Sequence, residues 1–228
     1  MLLTEIKQEK TNKYVFKTDT GSSFFLTRKE LSDLEALNNI QEVLGGEKEK
    51  TELEFDLSDS AYETISRELV IPRGKRYALS LLSDREYSSK MLMDKLSSTG
   101  YSSEHAEIII DYVKSFHYLD DERYAENYIR SRMQSKSRRY LERKLYEKGI
   151  SKELSEEIFS KLEEENCNES PSDIEKNIIR RELSKKLKSV DPNDHERITK
   201  VTAALVRKGF NYSDINESVS DYFKNLSS

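Results

Sequence analysis

The densest group of ionisable side chains in this sequence is a basic run from Arg130 to Lys148. It contains eight cations and only two acids, Glu142 and Glu147, in a chain whose formal net charge is -5. Concentrated positive charge on an acidic protein is typical of a surface that contacts phosphates or acidic protein groups. From this run we expect the following residues to bind a partner: Arg130, Arg132, Lys136, Arg138, Arg139, Arg143 and Lys144.

A looser basic group lies nearer the C-terminus and offers the same chemistry. The alternative for both groups is an ordinary solvated helix face whose cations are neutralised by nearby acids. Tyr118, Tyr124, Tyr128 and Tyr140 lie among the charges, where they either stack on nucleic-acid bases or belong to the core; the i,i+4 spacing of Tyr124 and Tyr128 favours the core. From the second group we expect contacts by Arg180, Arg181, Lys185, Arg207 and Lys208.

The sequence offers no set of side chains suited to catalysis or metal binding. His105, His117 and His195 are far apart, and Cys167 is the single cysteine. An active site needs two or three convergent titratable groups, and no Ser–His–Asp or Cys–His arrangement can be placed. The acids around His195 are better explained as a helix N-cap and first turn. We therefore expect no catalytic residue, no metal and no cofactor.

The composition predicts a helical protein of the cytoplasm. Of the 228 residues, 36% are charged and 35% hydrophobic, and the mean hydropathy is -0.81. Apolar runs such as Ala203–Val206 are far shorter than the ~18 residues of a membrane span, and Met1–Lys7 lacks the basic and apolar regions of a secretory signal. With only 7 Gly and 3 Pro, we expect long amphipathic helices. We also expect a monomer with no membrane segment.

The N-terminal region has a different pattern from the rest. Two aromatic and β-branched runs flank a turn at Asp19–Gly21, which predicts a β-hairpin, and Leu3–Gln8 adds a possible third strand. Thr27 and Glu30 have the spacing of a capping box, which predicts a helix ending near Asn38–Asn39. A further short helix is predicted from Ser58 or Asp59 to Leu69, with Pro72 as its stop.

From Arg73 onward a helical pattern recurs three times. Each copy has Leu four residues before a Gly and a bulky apolar residue directly after it, which is typical of a helix C-terminus with a left-handed glycine. We expect the next helix to be capped by Ser102 or Ser103, by Ser151, and by Ser213 or Asp214. The matching helix faces are Ala106, Ile110 and Val113, then Ser155, Phe159 and Leu162, then Ile215, Val219 and Tyr222.

A helix also precedes each pair, so the repeat is a three-helix unit with a period near fifty residues. The polar segment Glu163–Pro171 is predicted to be a linker. We predict a mainly α fold of tandem three-helix repeats forming an elongated curved body, with a small N-terminal β-hairpin or sheet plus helix. The expected boundaries are 1–71 for the N-terminal extension and 72–116, 117–165 and 172–228 for the repeats.

Three motifs stand out in the second repeat: Tyr118–Ala125, which reads YLDDERYA, the Arg-rich stretch Tyr128–Arg132, and Lys148-Gly149-Ile150. Through these motifs the chain resembles the RecX family. Ala78, Leu82, Arg85 and Gly100-Tyr101 fit the family's preceding block, and Leu205–Phe210 is similar to its C-terminal motif. The match extends from about Arg73 to Phe223. Two departures are the lack of a glycine in Gln134–Arg139 and a long polar insertion before Leu205.

This resemblance implies a non-enzymatic modulator, mostly an inhibitor, of the RecA recombinase. Family members bind the RecA–single-stranded-DNA filament in its groove and limit recombination, DNA repair and the SOS response to DNA damage. Direct DNA binding would be weak. Within this reading, the preferred contacts are Arg130, Arg132, Arg138, Arg139 and Arg143.

Two other functions remain open from the residues alone. A helix-turn-helix DNA-binding regulator needs base-reading polar residues at an exposed helix N-terminus. The helices after each Gly instead begin with acids such as Glu104 and Glu153, which phosphate would repel. A purely structural scaffold of repeats predicts that reversing the basic charges changes nothing.

Overall fold

The protein is mainly helical, with a small N-terminal sheet, and contains two compact units, Met1–Asp120 and Asp121–Ser228. The structure is a computed structural model that describes residues 2–10, 12–19, 21, 23–33, 51–56, 58–165, 171–188 and 190–226. The predicted helix end at Asn38–Asn39 and Cys167 lie outside these residues. In the described part, no helix is long and apolar enough to cross a membrane.

The first unit begins with an antiparallel sheet of the strands β1 (Leu2–Lys10), β2 (Lys13–Thr18), β3 (Ser23–Thr27) and β4 (Thr51–Asp56). Their order in the sheet is β3-β2-β1-β4. The predicted hairpin and third strand are confirmed, while β4 was not predicted. Phe16 and Phe24 pair across β2 and β3 and stack with ring centroids 5.0 Å apart.

A capping box connects the sheet to α1, which is described over Arg28–Asp33. Thr27 N–H donates to Glu30 Oε2 at 2.7 Å and Glu30 N–H donates to Thr27 Oγ1 at 3.3 Å, as the sequence predicts. Arg73 pairs with the same Glu30 carboxylate and donates to the Phe25 carbonyl at 2.7 Å. These contacts join the sheet to the first helical repeat.

The prediction that Pro72 stops a helix is wrong. Ser58 caps α2 (Asp59–Ile65) as expected, but the helix continues through a π-helical segment, Ser66–Val70, directly into α3 (Ile71–Asp84). The N–H of Ile71 donates to the carbonyl of Ser66, five residues back. Pro72 therefore stands in the first turn of α3, where a missing N–H and a fixed φ are tolerated.

Three groups of three helices follow, in agreement with the predicted repeat. The first comprises α3, α4 (Ser89–Thr99) and α5 (Ser103–Ser115). The second comprises α6 (Asp121–Arg130), α7 (Arg138–Glu147) and α8 (Lys152–Glu165). The third comprises α9 (Pro171–Lys186), α10 (His195–Arg207) and α11 (Tyr212–Leu226).

The middle helix of each group ends at a left-handed glycine, as predicted: Gly100, Gly149 and Gly209 have φ of 106°, 82° and 89°. The caps that follow are Ser102 and Ser151, both expected, and Asn211. The prediction of Ser213 or Asp214 is wrong because the cap stands two residues after the glycine in all three repeats. Asn211 Oδ1 accepts the N–H of Ser213 at 3.1 Å.

The predicted apolar faces lie in the cores. Ala106 and Val113 are fully buried in the first unit, and Ile215 in the third repeat. Tyr124 is buried and stacks on the half-buried Tyr128, with ring centroids 6.2 Å apart. The core assignment of Tyr124 is therefore confirmed.

Part of the predicted linker is helical. α8 extends to Glu165 and α9 begins at Pro171, so the prediction that Glu163–Glu165 and Pro171 belong to a linker is wrong. Glu is a good helix former, and Glu163 and Glu165 both pair with arginines of the same repeat, which stabilises this last turn.

Candidate functional site

The basic run occupies the end of α6, the connection 131–137 and helix α7. Ser137 caps α7 by accepting the N–H of Tyr140 at 3.1 Å. Leu141 and Leu145 bury one side of α7 in the core, so its remaining residues are distributed from the rim of the core to solvent. The basic residues consequently differ in what surrounds each of them.

The third repeat holds the connection 131–137 and the first residue of α7 in place through three hydrogen bonds. The Ser137 hydroxyl donates to the carbonyl of Lys208 at 2.9 Å, and Arg138 N–H donates to Glu175 Oε1 at 2.6 Å. Arg181 Nη2 donates to the carbonyl of Gln134 at 2.6 Å. Two predicted contact residues, Arg181 and Lys208, thus help to position the other basic group.

Burial raises the pKa of Glu175, because desolvation disfavours its charged form more than the N–H of Arg138 stabilises it. The carboxylates of Asp214 and Glu142 act in the same direction as burial. Glu175 therefore serves mainly as a hydrogen-bond acceptor at the first turn of α7.

Two arginines of the run each form ion pairs with two different glutamates. Arg130 contacts Glu126 at 2.8 Å and Glu165 at 2.5 Å. Arg138 contacts Glu142 at 2.8 Å and Glu163 at 2.7 Å, and its guanidinium lies 4.6 Å from the ring centre of Phe159. These two predicted contact residues bind α8 to the rest of the second repeat.

Other predicted cations are partly neutralised. Lys144 pairs with Glu147 at 2.5 Å, and Arg143 lies at 3.9 Å from the same carboxylate. Lys208 pairs with Glu182 at 2.7 Å. The hydrogen bond from Lys144 lowers the pKa of Glu147, so this acid remains ionised and offsets local positive charge.

A third class has no acid within ion-pair distance among the described residues: Arg132, Lys136 and Arg139 in the run, and Arg180, Lys185 and Arg207 in the second group. Arg132 lies 4.1 Å from the ring centre of Tyr128, and Lys136 lies 5.2 Å from that of Tyr140. Arg143 lies 5.6 Å from the Tyr140 ring as well.

We call Arg132, Lys136, Arg139 and Arg143, with Tyr128 and Tyr140, the cationic surface. Its chemistry is that of fixed positive charge beside aromatic rings, which suits phosphates, carboxylates and flat π-systems. Tyr146, 74% exposed on α7, was missed by the sequence reasoning. The missed signal is its spacing of three residues from Arg143 and seven from Arg139, which puts all three on one helix face.

The described residues hold no group of three or more metal-ligating side chains. Asp194 Oδ1 accepts the N–H of Arg197 at 3.0 Å, so the acids near His195 cap α10, as predicted. His105 is buried between two hydroxyls, 2.8 Å from Ser102 Oγ and 3.0 Å from Ser66 Oγ.

Family models of RecX match most of the helical part of the chain. The first, second and third three-helix domains of RecX match residues 75–112, 120–157 and 173–219. The regulatory protein RecX of Caldanaerobacter subterraneus subsp. tengcongensis is 28% identical over 222 residues, 96% of this chain and 99% of that relative. The one of Oceanobacillus iheyensis is 30% identical over 159 residues, 68% of this chain and 56% of that relative.

A solved structure supports the same fold. A crystal structure of regulatory protein RecX aligns with a TM-score of 0.55 at 19% identity, covering 96% of this chain and 98% of its own. The RecX structure from Lactobacillus salivarius aligns with a TM-score of 0.52 and 23% identity over 66% of this chain and 95% of its own. With all three of its three-helix domains matched, this chain belongs to the RecX family of regulatory proteins.

Proposed function

We propose that this protein is a non-enzymatic modulator, mostly an inhibitor, of RecA. It binds the RecA–single-stranded-DNA filament in its groove and thereby limits recombination and the SOS response. It acts as a cytoplasmic monomer with weak affinity for free DNA. The observation that carries the proposal is the cationic surface, where Arg132, Lys136 and Arg139 have no acidic partner among the described residues.

The distribution of ion pairs supports a revised set of contacts. An arginine held by two carboxylates, such as Arg130 or Arg138, presents little net charge to a partner. Cations without acids retain their field and attract the phosphates of bound DNA or acidic parts of the filament. We therefore assign the main contacts to Arg132, Lys136 and Arg139. Arg143 is added to them because its ion pair with Glu147 is long, at 3.9 Å, and leaves most of its charge available.

The helix-turn-helix alternative is less favoured by the helix N-termini. α5 and α8 carry Glu104 and Glu153 in their first turns, and α11 carries Asp214. Acids at the first turn complement the helix dipole but repel a phosphate backbone. This argues against these helices as readers of duplex DNA.

The test is RecA ATPase activity and strand exchange on single-stranded DNA with added protein. A triple variant, Arg132→Gln with Lys136→Gln and Arg139→Gln, should inhibit RecA far less than the unmodified protein does. The matched control replaces Lys90, Lys152 and Lys200 by Gln, which removes the same charge from exposed helix positions outside the cationic surface. No inhibition by the unmodified protein near stoichiometric amounts would refute the proposal, as would equal losses in the two variants.

A further inference from the structure

A cleft of about 440 Å³ lies between α9 and α11 of the third repeat. This volume is within the ~300–1,000 Å³ range of small-ligand pockets. All of its lining side chains are polar or aromatic. They are Arg180, Arg181 and Ser184 of α9 and Ser218, Asp221, Tyr222 and Asn225 of α11.

Side chains of opposite charge line this cleft without forming ion pairs with one another among the described residues. Asp221 is half-buried, yet it forms no ion pair with Arg180 or Arg181 within 4.0 Å among the described residues. Within the described residues, the Arg180 side chain forms one hydrogen bond, to Asn177 Oδ1 at 3.3 Å, and Arg181 donates from one nitrogen to the carbonyl of Gln134. Space between an unpaired carboxylate and two guanidinium groups suits a ligand with an anionic group at one end and hydrogen-bond donors at the other.

Tyr222 adds an aromatic wall to the cleft. It is half-buried: part of the side chain packs against the core of the third repeat, and the ring lies edge-on against Phe223, with ring centroids 5.3 Å apart. A ring fixed in this way is a stacking platform for a flat heterocycle, and stacking on tyrosine is a general means of holding single-stranded bases.

We propose that this cleft binds one nucleotide of single-stranded DNA. A backbone phosphate contacts Arg180 and Arg181, the base stacks on Tyr222, and its Watson–Crick edge faces Asp221. The choice of a nucleic acid as the ligand rests on the proposed function, which brings the protein to a DNA-containing filament.

Asp221 gives the cleft a base preference. An ionised carboxylate only accepts hydrogen bonds. Guanine presents two adjacent donors on its Watson–Crick edge, whereas thymine presents one. Oligonucleotides with an unpaired guanine should therefore bind more tightly than oligothymidine.

The experiment measures fluorescence anisotropy of short labelled oligothymidine, with and without guanine, titrated with the full chain in the absence of RecA. Arg180→Gln should weaken binding roughly tenfold. Asp221→Asn should abolish the guanine preference, because an amide offers one acceptor oxygen and a donor group in place of two acceptor oxygens. Lys185→Gln is the matched control, because it removes the same charge from the same helix outside the cleft.

Equal losses in Arg180→Gln and Lys185→Gln would overturn the proposal, since they would indicate only general electrostatic attraction. Competition by inorganic phosphate as effective as that by deoxyguanosine monophosphate would overturn it too, and so would displacement of the oligonucleotide by an acidic peptide at lower concentration. RecA inhibition is measured separately for each variant. Absent nucleotide binding with retained inhibition refutes the cleft alone, whereas absent inhibition by the unmodified protein refutes the proposed function.

Discussion

The hydroxyl of Ser137, at the start of α7, donates a hydrogen bond to the main-chain carbonyl of Lys208, at the end of α10, over 2.9 Å. The same oxygen accepts the N–H of Tyr140. Ser137 is fully buried, so one side chain both caps α7 and joins the second repeat to the third. The cationic surface therefore depends for its geometry on the repeat that follows it.

Replacement of Ser137 by Ala should destabilise the second unit by about 1–2 kcal/mol, because it removes a cap and leaves the part-buried carbonyl of Lys208 without its partner. Urea unfolding followed by circular dichroism measures this. Ser151→Ala is the control: Ser151 also caps a helix, through Leu154 N–H at 3.1 Å, but it is exposed. The loss of unfolding free energy in Ser151→Ala should be only ~0.5–1 kcal/mol. Equal costs would contradict a joining role for Ser137.

Gly209→Ala should lower the free energy of unfolding of the second unit by more than its left-handed backbone conformation alone explains. Its φ of 89° disfavours any L side chain by ~1–2 kcal/mol. A Cβ there would also lie 2.5 Å from Ser137 Oγ and 3.2 Å from the Tyr140 nitrogen. Gly21→Ala is the control, because Gly21 has a φ of 80° and nothing within 4 Å of an added Cβ. The free energy of unfolding is measured for each variant in its own unit. Similar losses in the two would contradict the prediction, because they would show that Ser137 moves away from the added Cβ at no energetic cost.

The repeat could be predicted from the sequence because each unit carries the same local code. Leu–x3–Gly–apolar specifies a helix end through residues that are adjacent along the chain, and the glycine φ values agree with it. Asn211 was overlooked because Ser213 and Asp214 are also good caps, although the spacing from Gly209 selects Asn211. The continuation through Pro72 depends on a π-helical turn, for which sequence periodicity gives no signal.

The contacts of the basic run could be predicted only in part. Arg138 and Arg139 are neighbours of the same type, yet Arg138 meets Glu163 of α8 and Arg139 meets no acid among the described residues. The difference follows from helix phase, since Arg138 is three residues before the buried Leu141 and so lies at the rim of the core. Pairing with an acid 25 residues away requires the packing of two helices, which local sequence does not specify.

The stability of the first unit should fall as pH decreases below about 6.5. Burial lowers the pKa of His105 in the native protein below its usual 6.5. At pH values between the native pKa and 6.5, the unfolded chain therefore binds more protons than the native protein. The contribution of His105 is thus fully present above the unfolded pKa and is lost as pH falls towards the native one. Urea unfolding at several pH values from about 8 to 5 measures the slope. His105→Gln should flatten it, and an unchanged slope would assign it to other groups.

Glu175 should give the stability of the second unit the opposite dependence on pH. Its native pKa is raised, so the native protein binds more protons than the unfolded chain above pH 4.5, and stability decreases as pH rises through the native pKa. Glu175→Gln keeps the acceptor for Arg138 N–H and removes the charge. The variant should be at least as stable as the unmodified protein at neutral pH, with a smaller pH slope. A clear loss of stability at neutral pH would show instead that the carboxylate charge stabilises the first turn of α7.

Arg138 and Arg139 should separate stability from RecA inhibition. Arg139→Gln should change the free energy of unfolding by less than ~0.5 kcal/mol, because no acid pairs with this exposed side chain among the described residues, and it should weaken inhibition. Arg138→Gln should lower the stability of the second unit by roughly 1 kcal/mol through the lost contacts with Glu142, Glu163 and Phe159. Its effect on inhibition should be small once folded protein is compared at equal concentration. Both variants remove one positive charge, and the two positions are adjacent. If inhibition depended on net charge alone, the two variants would lose it equally. That outcome would contradict the assignment of Arg139 to the contact.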